Sequence, residues 1–225
     1  MPPLALFDLD NTLIDRAAAF RSWAVQFALA NGLAEGEVEL LERLDGDGLT
    51  PRETFFGEIR SRHGLRRTVD ELVRAYRSDY PRHVLPPAPD TVAALRDLRD
   101  RGWRLGIVTN GAPSQEAKIE QAGLPALVDG WAISELVGTR KPERAIFAAA
   151  AAACGCALDG AWVVGDSAAA DIAGAADCGL RSVWLSRGRR WEEASHRPDF
   201  VTDTVADGVA CILAAPERAR DLAAL

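Results

Sequence analysis

Residues 4–12 read LALFDLDNT, an apolar run that stops at two carboxylates, Asp8 and Asp10, one residue apart. Two more segments share that form, RLGIVTNG at 104–111 and AWVVGDS at 161–167. Short apolar runs bounded by polar clusters predict strands buried on both faces. Helical patterns lie between them: TVAALRDLRDRG before the second run, EAKIEQAGL after it and AAADIAGAADCGL after the third. Strand alternating with helix predicts an α/β fold, a doubly wound parallel sheet with helices on both faces. Further strands are expected at GWAIS (130–134), RSVWL (181–185) and DFVTD (199–203), about six in all.

Between the first strand and TVAALRDLRDRG, about 70 residues carry no strand pattern. Segments such as AAAFRSWAVQFALANG and VDELVRAYRSDY place apolar residues at helical spacing, and DGDGLTP and VLPPAPD punctuate them with Gly and Pro. This predicts an all-helical insert over 16–86, leaving 1–15 and 87–225 as the core domain. Within the insert, DGDGLTPRETF resembles a calcium loop at Asp45, Asp47 and Gly48. That register puts Arg43 at the first ligand and Thr54 where a bidentate Glu is required, so the stretch is expected to be a turn between helices.

The totals narrow the function classes. A chain of 225 residues buries one sizeable core and has room for one smaller insert. Its formal net charge of −7 argues against nucleic acid or anionic lipid as a partner and favours a small molecule. The start, MPPLALFDLD, has no signal-peptide pattern, and the longest apolar run, AIFAAAAAAC at 145–154, falls short of the roughly 20 residues that span a bilayer, so a cytoplasmic protein is expected. Cys154, Cys156, Cys178 and Cys211 lack the spacing of a zinc site or a disulfide framework and are expected to be reduced thiols in or near the core; Cys154-Gly-Cys156 is the one spacing that suits a redox pair. His63, His83 and His196 are scattered, which disfavours a His-based metal site.

In a doubly wound sheet the carboxyl ends of the strands open onto a common crevice. Asp8, Asp10, Asp166 and Asp171 therefore converge, and two carboxylates about 4 Å apart repel by roughly 4 kcal/mol at an effective dielectric of 20. Four such groups call for a cation, and a small set of hard oxygen ligands suits Mg²⁺, which shares its shell readily with phosphate. If the strand runs straight through both, Asp8 and Asp10 point the same way, one to bind metal and attack and the other to handle protons. Each cluster alone would serve as a turn or a helix cap. Their joint placement is what asks for chemistry.

These residues resemble the haloacid dehalogenase superfamily of aspartate-nucleophile phosphatases. The likeness rests on DLDNT, TNG, the lysine and proline of RKP, and GDSAAAD running into IAGAADCG, in that order from Asp8 to Gly179. The helical insert falls where members with a type 1 cap carry theirs. The resemblance implies a Rossmann-like core and Mg²⁺, with Asp8 as the nucleophile that becomes aspartyl phosphate. It makes Asp10 the acid for the leaving group and then the base for water. Thr109 and the backbone N–H of Asn110 would hold phosphate oxygens, and Lys141 would offset charge on phosphate and nucleophile. Asp166 would bind the metal with Asp8 and the backbone carbonyl of Asp10. Asp171 would either reach the metal through water or orient Lys141, and the Thr12 hydroxyl would brace the turn after the first strand.

Lys141 stands out independently, because Lys118 is the only other lysine and every other basic side chain apart from histidine is arginine. A compact, flexible ammonium is wanted at such a position. The expected activity is Mg²⁺-dependent hydrolysis of a small phosphomonoester of nucleotide or sugar phosphate type, by a monomer or homodimer. A phosphoglucomutase-like transfer uses the same aspartates. True dehalogenases need neither the metal nor Asp10, a phosphonate hydrolase needs a lysine that residues 16–86 lack, and a receiver-type signalling domain is much shorter with no such insert. A non-catalytic binding protein of the same fold has no need of an intact Asp8, Asp10, Lys141 and Asp166. The cap is expected to line the leaving-group pocket, with Phe20, Trp23, Arg52, Phe55, Phe56 and the Asp45–Thr50 turn as candidates, although aromatics in a helical bundle more often form its core.

Overall fold

The computed structural model describes residues 2–34 and 36–216. Six strands form one parallel sheet: β1 (Leu4–Phe7), β2 (Arg104–Thr109), β3 (Gly130–Ile133), β4 (Trp162–Gly165), β5 (Arg181–Leu185) and β6 (Phe200–Thr202). Their order is β3-β2-β1-β4-β5-β6, so the winding reverses at β1, where a crevice opens beyond the carboxyl ends. Each expected strand is present, and each is short. Leu6 lies opposite Gly106 on one side and Val163 on the other, which makes β1 a central strand.

Alternation along β1 separates two apolar layers. Ala5 and Phe7 join Leu95 and Leu98 of α5 (Pro89–Asp100) and Val205, Val209 and Ile212 of α10 (Val205–Ala214). Leu4 and Leu6 face Ile146, Phe147 and Ala150 of α8 (Arg144–Ala153) and Ala175 of α9 (Ala173–Asp177). The alanine run of α8 lets that helix approach closely. A Cβ on Gly130 would stand 2.7 Å from the Ala153 carbonyl oxygen, and one on Gly106 would stand 2.7 Å from Cys154 Sγ.

Residues 16–79 form four helices: α1 (Arg16–Ala30), α2 (Glu37–Asp45), α3 (Arg52–His63) and α4 (Val69–Asp79). The Asp15 carboxylate caps α1 by accepting from Ala18 N at 2.9 Å, and Thr68 and Glu71 form a reciprocal capping box on α4. Ala19, Phe20, Trp23, Ala24 and Ala28 place one buried stripe along α1. Phe20, Trp23, Phe55, Phe56 and Tyr76 close around one another, with Trp23 and Tyr76 rings 4.8 Å apart. Of the two readings open for Phe20, Trp23, Phe55 and Phe56, lining or core, the structure has core: their apolar area is worth most where the helices have nothing else to bury. Two short connecting helices complete the elements after β2 and β3, α6 (Ser114–Gln121) and α7 (Ser134–Val137). Among the described residues, no helix is long and apolar enough to cross a membrane.

Candidate active site

The strand does not run straight through both aspartates. β1 ends at Phe7, and the Thr12, Leu13 and Ile14 amides all donate to the Leu9 carbonyl at 3.3, 3.0 and 3.1 Å, with Asn11 in the left-handed region at φ 61°. This tight turn sends the two carboxylates to different partners. The Thr12 hydroxyl, buried without a hydrogen-bond partner, does not brace it, contrary to the role expected for it.

Asp8 remains in line with the sheet, its amide donating to Val164 O at 2.9 Å. Its Oδ1 accepts from Lys141 Nζ at 2.5 Å, and the same ammonium donates to Asp171 Oδ1 at 2.7 Å. Lys141 is 3% exposed and Asp171 is fully buried. Burial pushes the Asp8 carboxyl above its ordinary range, with the charges of Asp171 and Asp166 acting the same way and Lys141 opposing them. Lys141 is raised despite its burial, because Asp171 and Asp8 hold it charged. Asp171 also accepts from Ser167 N at 3.0 Å, and it occupies the space where any Cβ on Gly165 would stand. The glycine of GDS is thus there to admit Asp171, and of the two roles expected for that residue its contact with Lys141 is direct.

Asn110 also acts through its side chain. Its side chain grips the Lys141 backbone from both sides, Oδ1 accepting from Lys141 N at 2.8 Å and Nδ2 donating to Lys141 O at 3.1 Å, beside a cis Lys141–Pro142 bond. Oxygen atoms of Asp8, Asp166 and Asp171 lie within 4.8 Å of one another, a set of hard donors that fits a divalent cation. Asp166 is held by arginines, accepting from Arg187 Nη1 at 3.0 Å and Arg189 Nη2 at 3.3 Å.

Asp10 stands apart from that set. Its carboxylate takes both hydrogen bonds from Lys118 Nζ, at 2.9 and 2.8 Å, and a third from Gln115 Nε2 at 2.8 Å. Burial works against its charge, but the Lys118 ammonium and these hydrogen bonds win and hold the carboxyl below its ordinary range. Gln115 Nε2 also donates to Thr109 Oγ1 at 2.8 Å. The sequence signal for Lys118 was present in the rarity that marked Lys141: both lysines of the chain meet an aspartate of DLD.

From the helical segment, the turn between α2 and α3 reaches the same crevice, a volume of about 1330 Å³. Asp45 is buried beneath it, bound to Arg16 Nη2 at 2.8 Å and Arg52 Nη2 at 2.6 Å, which ties the turn down through two cations. Asp47 at its tip accepts from Asn11 Nδ2 at 3.1 Å and Arg187 Nη1 at 2.7 Å. The expected lining residues Arg52 and Asp47 to Thr50 do border the crevice.

Residues 3–179 match the family model of haloacid dehalogenase-like hydrolases. The chain is 33% identical over 195 residues to phosphoserine phosphatase of Thermus thermophilus, covering 82% of this chain and 76% of that one. It is 30% identical over 226 residues to ribulose-1,5-bisphosphate 5-phosphatase of Halopiger xanaduensis, covering 92% and 94%. Among solved structures, the HAD-hydrolase YfnB of Bacillus subtilis, bound to magnesium, superposes with a TM-score of 0.78 at 20% identity over 95% of this chain and 99% of that one. The chain belongs to the haloacid dehalogenase-like hydrolases, as an enzyme of the phosphatase type.

Proposed function

We propose that the protein is a Mg²⁺-dependent phosphatase that hydrolyses a small phosphomonoester of nucleotide or sugar phosphate type through an aspartyl phosphate on Asp8. The observation that carries this reading is the division of the two DLD carboxylates. Asp8 lies with Lys141, Asp166 and Asp171, and Asp10 is held separately by Lys118 and Gln115. Asp8, Asp166 and the Asp10 carbonyl are the proposed holders of Mg²⁺, with Asp171 behind them. Bound there, the ion supplies positive charge to the phosphoryl oxygens and relieves repulsion among the carboxylates.

In the first half-reaction an Asp8 oxygen attacks phosphorus and the bond to the leaving oxygen breaks. Asp10, which Lys118 and Gln115 hold as the carboxylate in the free protein, is favoured in its protonated form by the negative charge of the incoming phosphate and gives that oxygen its proton. In the second, the Asp10 carboxylate takes a proton from water as the water oxygen attacks phosphorus, releasing phosphate and the free Asp8 carboxylate. Lys141 steadies the charge on Asp8 and the phosphoryl group, while Thr109 Oγ1 and the Asn110 amide hold phosphate oxygens. Residues 16–86 act as a cap that closes over the core of 1–15 and 87–225 and excludes water. The relatives named for phosphoserine and ribulose bisphosphate support small phosphorylated metabolites as the substrate class.

The test is release of p-nitrophenol from p-nitrophenyl phosphate with Mg²⁺, with EDTA, and with Asp8→Asn. Turnover that needs both the metal and Asp8 is expected. Activity undiminished in Asp8→Asn would remove the nucleophile assignment.

A further inference from the structure

We propose that Lys118 and Gln115 are positioning residues that fix the Asp10 carboxylate at the leaving-group oxygen. This inference rests on Asp10 being the acid of the proposed reaction. Lys118 and Gln115 sit i and i+3 on α6, the helix that follows TNG, and are 8% and 4% exposed. Three of their N–H groups take up the Asp10 carboxylate, whose rotamer is then determined from α6 and not from its own loop. The Tyr80 ring lies with its centroid 5.0 Å from Lys118 Nζ, a cation–π contact.

Gln115 performs a second task with the same nitrogen, donating to both Asp10 and Thr109 Oγ1 at 2.8 Å. The residue proposed for proton transfer is thereby held at a set distance from one proposed for the phosphate. Gly111 makes this possible, since a Cβ there would stand 2.7 Å from Gln115 Cγ. An ion pair needed only to neutralise a buried charge requires no such bridge to Thr109. The arrangement is that of a supporting shell, where small displacements of a reacting group are costly.

The test separates leaving groups that need a proton from those that do not. p-Nitrophenolate departs as an anion, whereas an alkyl phosphate such as glycerol phosphate needs the acid. Rapid-quench bursts are measured for both esters in wild type, Lys118→Met, Lys118→Arg, Gln115→Leu and Asp10→Asn. In Lys118→Met the alkyl ester burst is expected to slow about a hundredfold, at the lower end of what general acid catalysis contributes, with KM changed by less than about threefold. The p-nitrophenol burst is expected to keep its rate within about threefold, and Lys118→Arg is expected to recover part of the alkyl rate.

Equal losses on both esters, or none, would overturn the positioning role. Should Lys118→Met fail to fold, Lys118→Arg carries the same comparison, with Gln115→Leu read apart because it also releases Thr109. Asp10→Asn distinguishes the two levels of failure: if it discriminates between the esters and the α6 variants do not, only the positioning inference falls. If Asp10→Asn itself does not discriminate, the acid assignment beneath it falls as well.

Discussion

Lys141 has no room to be an arginine. Its ammonium sits at 2.5 Å from Asp8 and 2.7 Å from Asp171 with 3% of its surface exposed, and a planar guanidinium cannot place one nitrogen between two carboxylates at that depth without displacing them. Lys141→Arg is expected to fold and to lose at least about tenfold in kcat, since a 1 Å misplacement near reacting atoms costs on the order of 10²; steady-state kinetics beside a thermal melt checks both halves. Asp8 makes stability depend on pH. Burial raises its carboxyl to about 7 in the metal-free protein, above the ordinary value of 3.8, so the folded state holds a proton that the unfolded state has released. Its contribution is therefore full below about pH 4 and is lost as pH rises through about 7. At the proposed site Mg²⁺ would compete with that proton, and added Mg²⁺ is expected to raise the melting temperature more at about pH 7.5 than at about pH 5. A metal-induced shift that is the same at both values would contradict this. DLDNT and RKP named both residues of this pair in the sequence. What they did not contain is the depth of burial, which comes from chain segments 133 residues apart meeting.

At the scale of elements, connections between strands and helices carry the site, and glycines and left-handed residues shape them. Gly165 closes β4 where any side chain would strike the Asp171 carboxyl, so Gly165→Ala is expected to push Asp171 away from Lys141 and abolish turnover while the sheet remains folded. Circular dichroism and activity measured together separate those effects. Asn11, Asp47 and Arg187 are the non-glycine residues with positive φ among those described, and they form one hydrogen-bonded chain ending on Asp166. Asn and Asp tolerate the left-handed region, but an arginine there carries a cost of about 1–2 kcal/mol. Arg187→Gly is accordingly expected to be more stable than Arg187→Ala by about 1 kcal/mol in chemical denaturation, both having lost the same contacts. Equal stabilities would mean the backbone at 187 relaxes freely. The TNG and GDS glycines were legible as motif letters. The reason for each, a Gln115 or Asp171 side chain in the place of a Cβ, depends on the packing of the following helix.

For the whole molecule, the helical segment and one face of the sheet share a continuous apolar cluster, running from Phe7 and Ile107 to Trp23 and Phe56. Trp23 touches Phe20, Phe27, Phe55, Phe56 and Tyr76, and Trp23→Ala is expected to cost about 3–5 kcal/mol in urea unfolding. A loss below about 1 kcal/mol would mean that this cluster is not what holds α1, α3 and α4 together. The sequence by itself determined the parallel sheet, since short apolar runs bounded by polar clusters and alternating with helical patterns are buried on both faces in that way, and it determined the helical insert by the helical spacing of apolar residues over 16–86. It also placed Asp8, Asp10, Asp166 and Asp171 at converging strand ends, while Thr109 and Lys141 were named by the family resemblance. Only the tertiary structure decided that Asp10 pairs with Lys118 and Gln115 and not with the acidic cluster, and that Asp47 reaches Arg187. Local pattern records which residues are apolar and where the chain turns, because those preferences act within a few residues. The partner of a charge is settled by which distant elements the packed core brings within 3 Å, and no window of sequence contains that distance.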